Sequence, residues 1–213
     1  MLATLLQPAK ELMDLVAPLR CAACAAHGPL LCSNCRALFE RAALFRRRRA
    51  GDVPPVAGLG GYEGELRRAV LHAKFRNASL ARELGIMLGK KLHRNADCVV
   101  PVPLHPARLH QRGYNQSAEI ARGIADALGA SLMADGLRRT LHTRPQRELR
   151  LDQRRRNVAG AFALGPQVEL LRGKTVLVVD DVLTTGATIA ACACALVSAS
   201  PRSVSAAVLA IKR

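Results

Sequence analysis

Apolar positions along the chain switch between two spacings. Leu66, Val70 and Leu71 with Lys74, and then Leu80, Leu84, Met87, Leu88 and Leu92, recur at helical intervals, and Asn77 to Ser79 interrupts them as a break and cap. These positions predict two helices in succession. Cys98-Val99-Val100-Pro101-Val102 is a short apolar run ending in prolines, the pattern of a buried strand whose carboxyl end opens into a loop. Ala118 to Leu128 is helical by pattern and closes at Gly129, Thr175 to Val179 reads as an uninterrupted apolar strand, Ala187 to Val197 as a helix and Ser203 to Ile211 as a last strand. Strands alternating with helices predict an α/β architecture, a mostly parallel sheet flanked by helices on both faces, with ligands at the carboxyl ends of the strands.

Upstream of this body the pattern weakens. Residues 1–40 hold an amphipathic segment, Pro8 to Val16, followed by a cysteine-bearing stretch. Residues 41–61 read as a basic linker: Arg46 to Arg49 is a solid charge run, and Pro54-Pro55 followed by Gly58, Gly60 and Gly61 is expected to support no regular element. The division expected is therefore 1–40, a linker over 41–61, and a main domain over 62–213.

Composition narrows the class. A chain of 213 residues that is 50% hydrophobic buries a sizeable core with room for a small appendage. A net charge of +16 attracts phosphorylated small molecules, nucleic acid or anionic surfaces without choosing among them. The absence of Trp, with two Tyr and four Phe, argues against single-strand binding by base stacking, although arginines still suit a phosphate backbone. No run of about 18 uncharged apolar residues occurs. Pro8, Lys10, Glu11 and Asp14 interrupt any signal-peptide core, and seven cysteines are an odd number for a secreted disulfide framework, so the cytoplasm is the expected compartment.

The densest chemistry lies in Val176-Leu177-Val178-Val179-Asp180-Asp181-Val182-Leu183-Thr184-Thr185-Gly186-Ala187-Thr188. An apolar strand is expected to end at two carboxylates with nothing apolar to bury them, and the threonine-rich turn leads into a helix. Backbone N–H groups and hydroxyls converging at that helix start would cradle a phosphate. Taken separately, these pieces are common as strand, turn and cap. Their ordered combination resembles the phosphoribosyl pyrophosphate (PRPP) signature of type I phosphoribosyltransferases. The resemblance implies that Asp180 and Asp181 hold the ribose hydroxyls while Thr184, Thr185, Gly186, Ala187 and Thr188 bind the 5′-phosphate. Carboxylates beside the ring would stabilise the positive charge that grows as pyrophosphate leaves C1, and Mg²⁺ carried on substrate oxygens would neutralise the leaving group.

Arg108 and Arg112 sit in the segment after the strand ending at Val102, followed by Gly113-Tyr114-Asn115-Gln116. They read either as solvated loop charges or as pyrophosphate ligands, since Arg matches phosphate oxygens bidentately. Arg138 to Arg156 carries eight arginines against Glu148 and Asp152, a solvated face, a lid or a nucleic-acid contact.

Gly61-Tyr62-Glu63-Gly64, Lys74-Phe75, Pro101-Val102-Pro103-Leu104, Arg112-Gly113-Tyr114-Asn115-Gln116, Thr143-x-x-Gln146 and Asn157-Val158 join the PRPP loop in a set that resembles the ComF family. That family is phosphoribosyltransferase-like and associated with competence for DNA uptake; some relatives are named for gluconate utilisation. Arg76-Asn77 replaces the glycine expected after Lys74-Phe75. The resemblance implies a type I phosphoribosyltransferase fold with an N-terminal zinc ribbon. It also implies either pentosyl transfer from Mg-PRPP to an unidentified acceptor or a non-catalytic PRPP-sensing or single-stranded-DNA-associated role with competence proteins as partners.

Cys21-x-x-Cys24 and Cys32-x-x-Cys35 flank a short turn, the spacing of a closed Cys₄ structural Zn²⁺ site, with His27 as a substitute for one cysteine. Cys98, Cys192 and Cys194 read as small apolar residues.

Overall fold

The computed structural model describes residues 20–92, 96–140, 160–166 and 168–212. The helix expected at Pro8 to Val16, most of the Arg138 to Arg156 arm, including Thr143 and Gln146, and the following Asn157 and Val158 lie outside the described residues. In chain order the elements are α1 (Ser33–Arg41), β1 (Phe45–Arg47), β2 (Val56–Gly61), α2 (Gly64–Phe75), α3 (Ala78–Lys91), β3 (Cys98–Pro101) and α4 (Pro106–Arg112). Then come α5 (Gln116–Leu128), β4 (Ser131–Leu132), β5 (Leu137–Arg139), β6 (Phe162–Leu164), a 3₁₀ turn at Val168–Leu171, β7 (Thr175–Leu183), α6 (Ala187–Val197) and β8 (Ser203–Ile211).

A six-stranded sheet runs in the order β1-β2-β8-β7-β3-β4. All neighbouring pairs are parallel except β1 with β2. Alternation along the strands divides the core. Leu177, Val179, Ala207 and Leu209 pack with α2, α3, α5 and the cysteine segment, whereas Val176, Val178, Ala206 and Val208 pack with α6 and the separate two-stranded β5-β6 sheet. Both faces are covered, as the sequence pattern predicts.

The predicted helices form with the expected punctuation: the Asn77 side chain accepts from Leu80 N at 2.8 Å to start α3, and Gly129 closes α5 at φ +65°. The stretch 41–61 departs from expectation. Far from lacking regular structure, it supplies β1 and the almost wholly buried β2. The glycines that argued against a strand make it fit here, because a Cβ on Gly58 would lie 2.8 Å from Ile211 Cγ1 and one on Gly60 2.8 Å from Leu66 Cδ2.

Close approach also governs α3 against α5. A Cβ on Gly85 would meet the Ile120 carbonyl oxygen at 2.3 Å, and one on Gly123 would meet the Arg82 carbonyl oxygen at 2.1 Å. The two helices therefore touch backbone to backbone, with Arg82 bridging to Asp126 at 2.7 Å on the outside. Gly123→Ala should destabilise the fold by about 2 kcal/mol, since overpacking a fixed carbonyl outweighs the roughly 1 kcal/mol gained in helix propensity. Urea unfolding, compared at equal slope, measures it.

Candidate functional site

The site opens where two neighbouring strands differ in length. β3 pairs with β7 only from Val176 to Val179, whereas β8 accompanies β7 to Leu183. Prolines 101 and 103 stop the shorter strand, so among the described residues the last part of β7 has a strand partner only on the β8 side. The strand expected to end at the acidic pair in fact runs through it to Leu183, because the nine-residue β8 continues the ladder.

Asp180 and Asp181 engage different partners. Asp181 is only 5% exposed, against the expectation that nothing would bury it. Lys74, at the end of α2, donates to Asp181 Oδ2, and the Val182 N–H donates to Oδ1 at 2.8 Å. Asp180 receives Ser117 Oγ and its neighbour's N–H, both at 2.9 Å on Oδ1. Burial, reinforced by the Asp181 charge, pushes the Asp180 carboxyl up to about 7 despite Lys74 and these donors.

Beyond Leu183 the chain turns through Thr184, Thr185 and Gly186 into α6. Gly186 stands at φ +84° as the residue before the helix, and a Cβ there would lie 2.8 Å from Val53 Cγ2. Both facts demand glycine. Thr185 Oγ1 accepts from Ala187 N at 3.3 Å, so the turn is held locally while the helix start faces the same edge as the carboxylates.

Arg108 and Arg112 lie on α4, a seven-residue helix inside what reads from sequence as loop; His105 caps it, its Nδ1 accepting from Ala107 N at 3.2 Å. Pro106 at the first helical position explains the departure. Gly113 at φ +80° ends α4, and the chain returns so that Asn115 ties Val102 O to the start of α5 at 3.0 Å. Arg112 donates to Gln116 Oε1 and lies 4.9 Å from the centroid of the Phe75 ring, while Tyr114 donates to Ala73 O at 2.6 Å. The Lys74-Phe75 and Arg112-to-Gln116 motifs are thus one structure. Burial lowers the Arg112 pKa, and the Asp181 charge works against that.

Lys74, Ser117 and Arg139 are site residues that spacing alone did not single out. Lys74 is separated from Asp181 by 107 residues, and only its place in a recognised motif signalled it. Arg139, on β5, lies 5.3 Å from the Phe162 ring centroid; burial and the nearby Arg108 lower its pKa while Cys192 and Asp180 raise it. It therefore lies within electrostatic range of both Arg108 on α4 and Asp180 on β7.

The cysteine segment forms a second centre. The sulfurs of Cys21, Cys24, Cys32 and Cys35 all lie within 4.8 Å of one another, with Cys24 and Cys32 at 3.7 Å, and His27 is outside the set. Four sulfurs at about 2.3 Å from one tetrahedral ion would stand roughly 3.8 Å apart, so the donor set fits structural zinc. Burial alone would raise the Cys21 thiol, but backbone N–H donors from Cys32, Cys24 and Ala23 bring it down to about 6, favouring a thiolate ligand. Cys21, Ala22, Ala23 and Leu31 are buried in the main core, and Arg68 of α2 donates to Ala23 O. Of the remaining cysteines, Cys98 and Cys192 are buried as expected of small apolar residues, whereas Cys194 is exposed.

Residues 83–213 match the phosphoribosyl transferase domain family. Competence protein F of Haemophilus influenzae is 31% identical over 140 residues, covering 62% of this chain and 61% of that protein. DNA utilization protein YhgH of Escherichia coli strain K12 is 36% identical over 94 residues, 44% of this chain and 40% of the relative. The chain thus spans less than two thirds of the length of these relatives. Two solved structures, an allosteric regulatory enzyme of purine biosynthesis and a glutamine PRPP amidotransferase from B. subtilis complexed with ADP and GMP, each align at TM-score 0.47 and 21% identity, over 65% of this chain and 30% of theirs. The chain belongs to the phosphoribosyl transferase domain family, and its likeness to these relatives supports the resemblance to the ComF family. No helix among the described residues is long and apolar enough to cross a membrane.

Gly186→Ala should weaken the turn into α6 and lower stability by about 1–2 kcal/mol, because a side chain there meets both a left-handed backbone and Val53. Thermal unfolding of wild type and variant measures the loss. Chelation of metal from the cysteine centre, or Cys24→Ser with Cys32→Ser, should abolish stoichiometric zinc by atomic absorption and lower the unfolding midpoint, since so small a segment draws folding energy from its ion.

Proposed function

We propose that the protein binds Mg-PRPP at the carboxyl end of β7 and transfers its phosphoribosyl group to an acceptor. The observation that carries this reading is the convergence at one sheet edge of the half-buried Asp180 and buried Asp181, the Thr184-to-Thr188 helix start and the α4 arginines. In this reading Thr184, Thr185, Gly186, Ala187 and Thr188 receive the 5′-phosphate, where backbone N–H groups and the helix dipole favour an anion. Asp180 and Asp181 accept from the ribose hydroxyls and stabilise the positive charge that develops as the bond from C1 to pyrophosphate breaks. Arg108 and Arg112 hold the departing pyrophosphate, whose charge Mg²⁺ neutralises when bound on the substrate's own oxygens. A bond forms from the acceptor to C1 and the acceptor's proton passes to solvent. Zn²⁺ held by Cys21, Cys24, Cys32 and Cys35 is structural, because a closed Cys₄ set leaves no position open for a reacting group.

A second reading is supported by a different surface. Arg46, Arg47, Arg48 and Arg49 are all exposed on and beyond β1, on a chain of net charge +16. With relatives named for competence and DNA utilization, this favours a protein that senses PRPP while associating with single-stranded DNA or competence proteins in the cytoplasm. Its signature would be a steep fall of DNA affinity with salt, lessened when Arg46 to Arg49 are neutralised.

Mg²⁺-dependent pyrophosphate release from PRPP, measured over a panel of bases and amines, separates the two. Wild type should release pyrophosphate with at least one acceptor, and Asp180→Asn and Asp181→Asn should each lower kcat/KM about 100-fold or more. Because burial and Asp181 raise the Asp180 pKa, that carboxyl is neutral below about 7 and charged above it, so kcat/KM should climb as pH passes through about 7. Silence across the panel from folded, zinc-loaded protein that still binds PRPP would count against the transferase and favour the sensing role.

A further inference from the structure

We propose that Lys74 is a positioning residue of the ribose site, acting through Asp181: its ammonium fixes the orientation of that carboxylate and supplies the countercharge beside the Asp180-Asp181 pair. The inference rests on the reading of Asp180 and Asp181 as the ribose-binding pair and assigns the residue that makes such a pair tenable.

The geometry is specific. Lys74 is the penultimate residue of α2, which begins beside the carboxyl end of β2 and reaches β7 two strands away in the sheet order β2-β8-β7. Its side chain is 28% exposed and that of Asp181 7%. With Val182 N on Oδ1 and Lys74 Nζ on Oδ2, both oxygens of Asp181 are engaged, one by the strand and one by the helix, and rotation of the carboxylate is arrested. Each oxygen keeps a further lone pair for an outside donor.

Lys74 is itself seated. Its ammonium is 5.9 Å from the Phe75 ring centroid, on a ring that Arg112 also approaches at 4.9 Å. The backbone just before it is clamped where Tyr114 donates to Ala73 O at 2.6 Å. A lysine reaching a ligand directly would need slack. Here the helix end is pinned and the ammonium is directed at Asp181.

Electrostatics explains why a cation is required. Asp180 and Asp181 are adjacent like charges with little solvent, so each ionisation opposes the other. The groups facing the pair are Lys74 from α2, Arg112 from α4, Ser117 from α5, Arg139 from β5 and Cys192 from α6. Lys74 is in direct ion-pair contact with Asp181. Removing it leaves Asp181 in the same place without that contact, and the pair should take up a proton at higher pH.

Carboxyl ¹³C titration of aspartate-labelled, ligand-free protein tests this without any substrate, comparing wild type, Lys74→Met and Lys74→Arg. The apparent titration of the Asp180-Asp181 pair should move up by about one pH unit or more in Lys74→Met and return close to wild type in Lys74→Arg. Calorimetric binding of Mg-PRPP should weaken about tenfold at pH 7 in Lys74→Met and recover as pH rises to 9. Lys74→Gln, which keeps a donor but no charge, serves if the methionine variant unfolds, and should titrate like it. An unmoved titration overturns the proposal, as does weakened PRPP binding that Lys74→Arg fails to rescue at every pH. Wild type that binds no PRPP, with the titration shifted as expected, would sink the transferase reading while leaving Lys74 as the residue that sets the charge of the pair.

Discussion

Two adjacent carboxylates at the end of a buried strand repel one another, and the surrounding architecture answers that constraint. Asp180 and Asp181 each meet their own partners: Ser117 and a backbone N–H on the first, Lys74 and the Val182 N–H on the second. Meeting those partners requires β7 to stay in register past the pair, which β8, as long as β7, allows, while among the described residues β3 stops short on the other side. The elements around the pair, the ends of α2 and α4 and the start of α5, are joined to one another by Arg112 to Gln116 and Tyr114 to Ala73.

The cysteine centre is part of the same construction. Its buried residues join the core that α2, α3 and α5 share, and Arg68 and Lys91 donate to carbonyls of Ala23, Phe39 and Ala42. The helix that presents Lys74 to Asp181 is therefore braced from behind by Arg68 on Ala23. Whatever holds the four sulfurs together also stiffens the carbonyl against which α2 leans. The centre belongs mechanically to the site's support, although its sulfurs take no part in the chemistry proposed there.

Much of this was legible from periodicity. The apolar runs at Cys98, Thr175 and Ser203 and the helices capped by Asn77 and Gly129 form where the pattern puts them, because burial and capping act over a few residues. Residues 56–61 were not legible, since Gly58 and Gly60 signal a break unless the crowding by Ile211 and Leu66 is known. The extension of β7 through Asp181 was hidden for a similar reason: it depends on what β8 offers across the sheet. Of the site, the acidic pair and threonine turn stood out as a local string. Lys74 and Ser117 meet the pair only after folding, from 107 and 63 residues away, and no local pattern encodes that.

The margins of the sheet carry a consequence of their own. An unpaired strand edge is a template for a neighbouring chain, and the two edges here are blunted by different means. On one side β4 is only two residues long, too short to seed a ladder. On the other, β1 exposes Arg46 and Arg47 with Arg48 and Arg49 immediately after, so an approaching copy would bring the same charges into register against its own. The arginine run thus works as a guard against edge-to-edge self-association. A polyanion that neutralised it would uncover an adhesive border, making the colloidal behaviour of the protein depend on what its arginines are bound to.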